Sequence, residues 1–120
     1  MEVQIFGVKK SADTRKALRF FAERRIRTHF VDLTERAASP GELQRFAQKF
    51  GVDSLIDTSS KRFADLGLAH ARLSDQRWLD KLLDEPLLLR VPLVRQIGPG
   101  AKGLSVGAAE SEWKSWVESA

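Results

Sequence analysis

The sequence predicts an α/β fold built on a four-stranded mixed sheet, and two patterns carry that prediction. At the N-terminal end a short alternating apolar stretch leads into apolar residues at helical spacing and then into a second alternating stretch. At the C-terminal end two short stretches rich in branched apolar residues flank Gly98-Pro99-Gly100, and a final amphipathic segment follows.

Taken in order, residues 3–6 alternate and stop at Gly7, which reads as a strand. Residues 13–25 place Ala17, Leu18, Phe20, Phe21 and Ala22 on one helical stripe. Residues 28–33 set His29 between apolar neighbours, predicting a second strand that pairs parallel to the first through a right-handed helical crossover. Ser39-Pro40-Gly41-Glu42 joins a capping serine, a proline at the first helical position and a glutamate at the third. This predicts a helix to Phe50, stopped by Gly51. Residues 52–57, 62–67 and 74–83 read as shorter helices, the last with Trp78, Leu79, Leu82 and Leu83 on its apolar stripe. Residues 87–91 and 93–97 are rich in branched apolar residues, and 93–97 with 104–106 predicts a hairpin. A helix over 110–118 would bury Trp113, Trp116 and Val117. This order is the connectivity of a thioredoxin-like (glutaredoxin-like) fold with a helical insertion between its halves.

A chain of 120 residues, 42% hydrophobic and 30% charged, suits one domain spanning 1–120. No apolar run reaches the roughly 18 residues of a membrane span, and the opening lacks the basic-then-apolar order of a signal peptide, so a cytoplasmic protein without a membrane partner is expected. The formal charge is +4, but Lys and Arg are dispersed among 16 acidic residues along most of the chain, so direct nucleic-acid binding is not expected. The chain has no cysteine, and Met1 is its only sulfur. Disulfides, thiolate metal sites and a cysteine nucleophile are therefore excluded within this polypeptide.

The segment from Phe6-Gly7 through Lys9-Lys10-Ser11 to Arg15-Lys16-Ala17 resembles the opening loop and helix of the arsenate reductase (ArsC)/Spx family. The resemblance continues through Leu55-Ile56-Asp57-Thr58, the leucine-rich helix before Pro86, Arg90-Val91-Pro92-Leu93-Val94 and Leu104-Ser105-Val106-Gly107, and so covers nearly the whole chain. Counted through without a gap, Ser11 falls where the family has its catalytic cysteine, and Thr14 falls at the second cysteine of the regulators' Cys-x-x-Cys. The resemblance implies that Pro92 is cis and shapes the wall of the active-site groove. It also implies two oxyanion-holding arginines that this chain lacks: Val91 stands where one precedes the proline, with Arg90 adjacent, and Ser59-Ser60 follow Thr58 where the other is common.

Arsenate reduction by this route needs a thiolate and a sulfur–sulfur bond to collect two electrons, and a serine hydroxyl supplies neither. The chain therefore reads as redox-silent, with no cofactor implied, while Lys9, Lys10, Arg15 and the helix-start amide of Ala12, joined by Arg90, compose a weak site for a small oxyanion or a glutathione-like thiol. The plain alternative is that Ser11 is a helix N-cap, its basic neighbours are solvated and Asp13 complements the helix dipole. A second function follows from the resemblance to Spx, whose members act by binding RNA polymerase. A third is an oxidoreductase whose gene specifies cysteine or selenocysteine at position 11.

The remaining candidates read as structural. His29 and His70 lack partners at metal-ligand spacing, and Asp32 with Glu35 lies where a strand gives way to a loop. Trp113 and Trp116 share a helix face suited to a core, and Arg24-Arg25-Ile26-Arg27 sits where a helix C-terminus favours cations.

Overall fold

The computed structural model describes residues 1–119. They form two compact units, one made of Met1–Asp32 and the stretch from Val91 onward, the other of Leu33–Arg90.

The first unit holds strand β1 (Glu2–Gly7), helix α1 (Ala12–Glu23), strand β2 (Arg27–Asp32), strands β3 (Leu93–Ile97) and β4 (Leu104–Val106), and the last helix, α5 (Glu110–Ser119). The sheet order is β2-β1-β3-β4, with β1 and β2 parallel and the β1–β3 and β3–β4 pairs antiparallel. The mixed sheet is the one the patterns predict. Its buried face follows from the two-residue period: Val3 and Ile5 of β1 and Val94 of β3 pack with Ala17, Phe20 and Phe21 of α1 and with Trp113 and Trp116 of α5.

Four aromatic rings form the centre of that core. Phe20 and Phe21 meet edge-on at 5.0 Å between centroids, Trp113 lies 5.5 Å from Phe20 and 5.6 Å from Phe21, and Phe21 stacks on Trp116 at 6.5 Å. Each such contact adds about 0.5–1.5 kcal/mol beyond burial. The indole N–H of Trp113 donates to Ser105 Oγ at 2.8 Å, so its burial leaves no donor unpaired. Gly103 is required beside this core, because a Cβ there would fall 2.5 Å from the Trp116 ring.

Helix α1 ends two residues before the predicted boundary at Arg25. Arg25 takes φ 56°, its amide donates to Ala22 O, and the amide of Ile26 donates to Phe21 O. This is the Schellman arrangement, with an arginine in the left-handed position that glycine commonly fills. The turn carries Ile26 back against the core. Arg24 folds over Phe20, its guanidinium carbon 3.7 Å from the ring centroid, and donates to Phe20 O.

In the second unit, α2 (Pro40–Phe50) begins and ends as its sequence predicts, with Gly51 at φ 82°. A 3₁₀ turn (Val52–Leu55), helix α3 (Lys61–Asp65) and helix α4 (Asp75–Asp84) follow, and α2 packs against α4 with Leu43, Phe46, Trp78, Leu79 and Leu82 buried. Two expectations are corrected here. The helix over 52–57 stops at Leu55, because Ile56 turns extended and bridges Leu89. Residues 86–88 form a 3₁₀ turn and not the extended stretch expected over 87–91, since Pro86 fixes the backbone for a turn start.

Candidate active-loop site

Strand β1 delivers a loop into the first turn of α1, and loop and turn together hold five of the predicted site residues: Lys9, Lys10, Ser11, Ala12 and Arg15. The amide of Ser11 donates to Val8 O at 3.0 Å, closing a tight turn, and the Ser11 carbonyl accepts from the Arg15 amide. Ser11 is the N-cap of α1: its backbone is extended and its Oγ accepts from the Thr14 amide at 3.1 Å. Arg15 reaches back over the loop, its Nη1 donating to Lys9 O at 2.7 Å. Lys9 and Lys10 are exposed, and so are Ala12 and Asp13.

The first-turn donors are unequally used. Thr14 and Arg15 donate to Ser11, while the amides of Ala12 and Asp13 have no acceptor among the described residues. These are the orphan N–H groups of a helix start, at its partly positive end. Asp13 places a carboxylate in the same turn and offsets part of that field.

Thr14 was not singled out as a site residue, and the structure makes it distinctive. It is fully buried, its Oγ1 has no hydrogen-bond partner, and a Cβ added at Gly7 would fall 2.6 Å from its Oγ1 and Cγ2. Gly7 is thus the residue that lets α1 start this close to the end of β1. The sequence signal was the pair Gly7 and Thr14 itself, but their contact depends on how helix and strand approach.

The Val91–Pro92 peptide is cis, as the resemblance implied, and the Pro92 carbonyl accepts from Gly107 at 2.9 Å. Phe6 pairs with Leu93 in the β1–β3 register, so the next step sets Gly7 across from Pro92, at the strand end that supplies the Ser11 loop. Arg90 is the last residue of the other unit, where its amide donates to Leu55 O at 2.8 Å.

The cations after Thr58 are engaged elsewhere. Arg62 donates through Nε and Nη2 to Glu85 Oε2 at 2.8 and 2.7 Å, and Lys61 pairs with Asp65 at 3.6 Å. Ser59 donates its amide and hydroxyl to Asp57 Oδ1, and Ser60 caps α3. His29 is the strand residue expected, though its Nε2 lies 3.2 Å from Glu2 Oε1, a neighbour that sequence spacing could not reveal. No group of three or more metal-ligating side chains occurs among the described residues.

Chemically, the loop has no thiol with which to reduce. It offers two backbone donors, two exposed ammonium groups and one guanidinium, around a hydroxyl already committed to the helix.

Comparison with known proteins gives this loop a lineage. The sequence model of the ArsC family matches residues 6–116. The chain is 31% identical over 119 residues to "Global transcriptional regulator Spx 2" of Oceanobacillus iheyensis, covering 98% of this chain and 84% of the regulator. Among solved structures, an ArsC-family-related protein from Bacteroides fragilis superposes with a TM-score of 0.81 at 18% identity, covering 96% of this chain and 97% of that one. An arsenate reductase from Vibrio cholerae gives a TM-score of 0.70 at 24% identity, covering 84% of this chain and 86% of the reductase. The two structures share the fold, and the sequence matches go further: this chain belongs to the ArsC family.

Proposed function

We propose that this arsenate-reductase-related protein acts by binding, with no redox step of its own, and that the start of α1 is a weak site for a small oxyanion. One observation carries the reading. Ser11 stands at the cysteine position as a helix cap, with its hydroxyl spent on Thr14, while the neighbouring amides of Ala12 and Asp13 stay without acceptors. Lys9, Lys10 and Arg15 supply the countercharge, and Pro92 supplies a wall at the same strand end. A glutathione-like thiol would enter the same site through its carboxylates.

The test is an amide NMR titration with phosphate and with arsenate. Saturable shifts confined to the Ala12 and Asp13 amides and their neighbours are expected. Shifts that stay linear, or that spread without centring on this turn, contradict the site. A coupled assay with glutathione and glutaredoxin is expected to register no arsenate reduction.

A second reading is favoured by the relative's name, a global transcriptional regulator aligned along 98% of this chain. Under it the protein is an interaction module with RNA polymerase as partner, in the cytoplasm, and loss of the thiols removes redox sensing without removing a contact surface. No helix among the described residues is long and apolar enough to cross a membrane. Immobilised chain that fails to retain purified RNA polymerase, in the presence of an active Spx control, contradicts this reading.

A further inference from the structure

We propose that the outward ridge of α1, built on Arg15, Lys16 and Arg19, is a docking surface for an acidic segment of a partner protein. This partner rests on the interaction reading above and does not require the small-anion site.

The charge of this chain is less dispersed than its whole-length composition suggests. Residues 9–27 hold eight basic residues and two acidic ones, a formal charge of +6, whereas the whole chain carries +4. The remainder is therefore net negative. At about 100° per residue, Arg15, Lys16 and Arg19 fall within roughly one third of the helix circumference, opposite the buried stripe of Thr14, Ala17 and Phe21. All three are exposed, and Lys9 and Lys10 extend the ridge into the loop, which the Arg15 bond to Lys9 O holds to the helix.

These cations have no internal ionic partner. Among the described residues no carboxylate lies within ion-pair distance of Lys9, Lys10, Arg15, Lys16 or Arg19. Arg15 and Arg19 stand one turn apart, a like-charge spacing that weakens a helix. The ion pairs of the described residues lie outside the ridge: Arg27 and His29 with Glu2, Arg36 with Glu42, Lys61 with Asp65 and Arg62 with Glu85. A cluster of five exposed cations without an ion-pair partner complements an external polyanion.

The surroundings favour an acidic protein segment over nucleic acid. Asp13 and Glu23 bracket the ridge about 15 Å apart along the axis, so a phosphate chain running along it would meet a carboxylate at each end, whereas a short acidic segment fits between them. The ridge also presents no exposed aromatic ring for stacking bases, since Phe20 and Phe21 face the core.

The experiment is an amide NMR titration of the full chain with a short synthetic glutamate-rich peptide, at about 0.05 M and about 0.15 M salt. A short DNA duplex is titrated in parallel. We expect saturable shifts over residues 15–19, affinity falling with salt, and a loss of about tenfold or more in K16E/R19E. The charge-matched control R72E/R77E, which alters two exposed arginines of the other unit, should leave affinity within about twofold of the unaltered chain. Equal weakening by the control, shifts centred elsewhere, no shift, or tighter binding of the duplex than of the peptide each overturns the proposal. Phosphate titration of K16E/R19E reads the Ala12 and Asp13 amides separately, so failure of the small-anion site is told apart from failure of the ridge.

Discussion

The starts of α1 and α2 use the same residue for the same task and end in opposite chemical states. Ser39 caps α2 in a closed exchange: its Oγ accepts from the Glu42 amide at 3.2 Å, and Glu42 Oε1 accepts from the Ser39 amide at 2.8 Å. Pro40 has no amide to leave unpaired, and Arg36 lies 3.5 Å from the Glu42 carboxylate. Ser11 caps α1 alone, with the buried Thr14 where a glutamate would complete the box, and the amides of Ala12 and Asp13 remain open. Serine caps also open α3 at Ser60 and α4 at Ser74. A serine at the family's cysteine position is therefore what this chain uses at ordinary helix starts. What distinguishes α1 is the set of donors that the cap leaves over.

Glycine substitutions should separate the two starts most strongly. Gly7→Ala would drive a Cβ to 2.6 Å from Thr14, and a cost of about 1–3 kcal/mol in denaturant unfolding is expected. Gly41, in the first turn of α2, has open space around it, so Gly41→Ala should be neutral or stabilise by about 0.5–1 kcal/mol. Equal effects at the two positions would show that α1 does not start against β1 as described.

Removing each cap comes next. Ser11→Ala and Ser39→Ala should each cost about 1 kcal/mol, since each leaves one amide without its acceptor. The two should differ in pH dependence. Partial burial works against ionisation of Glu42, but its bonds to the Ser39 amide and hydroxyl and the Arg36 charge outweigh this and hold its carboxyl below the ordinary value of 4.5. With the folded value depressed, its contribution is complete above the unfolded value and is lost as pH falls through the folded one. The stability gap between the unaltered chain and Glu42→Gln should hold steady near neutrality and narrow in acid, while Ser11→Ala should show no matching change over that range. A gap that widens in acid contradicts the assignment.

Thr14→Val should give the smallest effect. The hydroxyl it removes is buried without a partner, so a change within about 0.5 kcal/mol, or a gain, is expected in thermal unfolding. A loss of a full cap's worth would mean that Oγ1 has a partner in solution.

These contrasts also show how far the sequence carried. The βαβ opening and the α2 box were legible because each rests on spacings of four residues or fewer, and the cis Pro92 was legible through the family resemblance. Residues 86–88 misled because leucines after a proline fit a strand and a 3₁₀ turn equally well. Arg25 in the left-handed position gave no signal, since glycine is its usual occupant. The Gly7–Thr14 contact and the Arg62–Glu85 pair depend on how elements approach in space, beyond any local pattern. The basic concentration over 9–27 was present in the sequence, masked by averaging over the whole chain.

The open state of the α1 start is tested most directly by Ser11→Cys, which places the only thiol in the protein at the cap. Its alkylation rate against pH reports the thiolate. With unclaimed amides at the helix start and Lys9, Lys10 and Arg15 nearby, an apparent pKa clearly below the unperturbed value of about 8.5 is expected. A value at or above about 8.5 would contradict it.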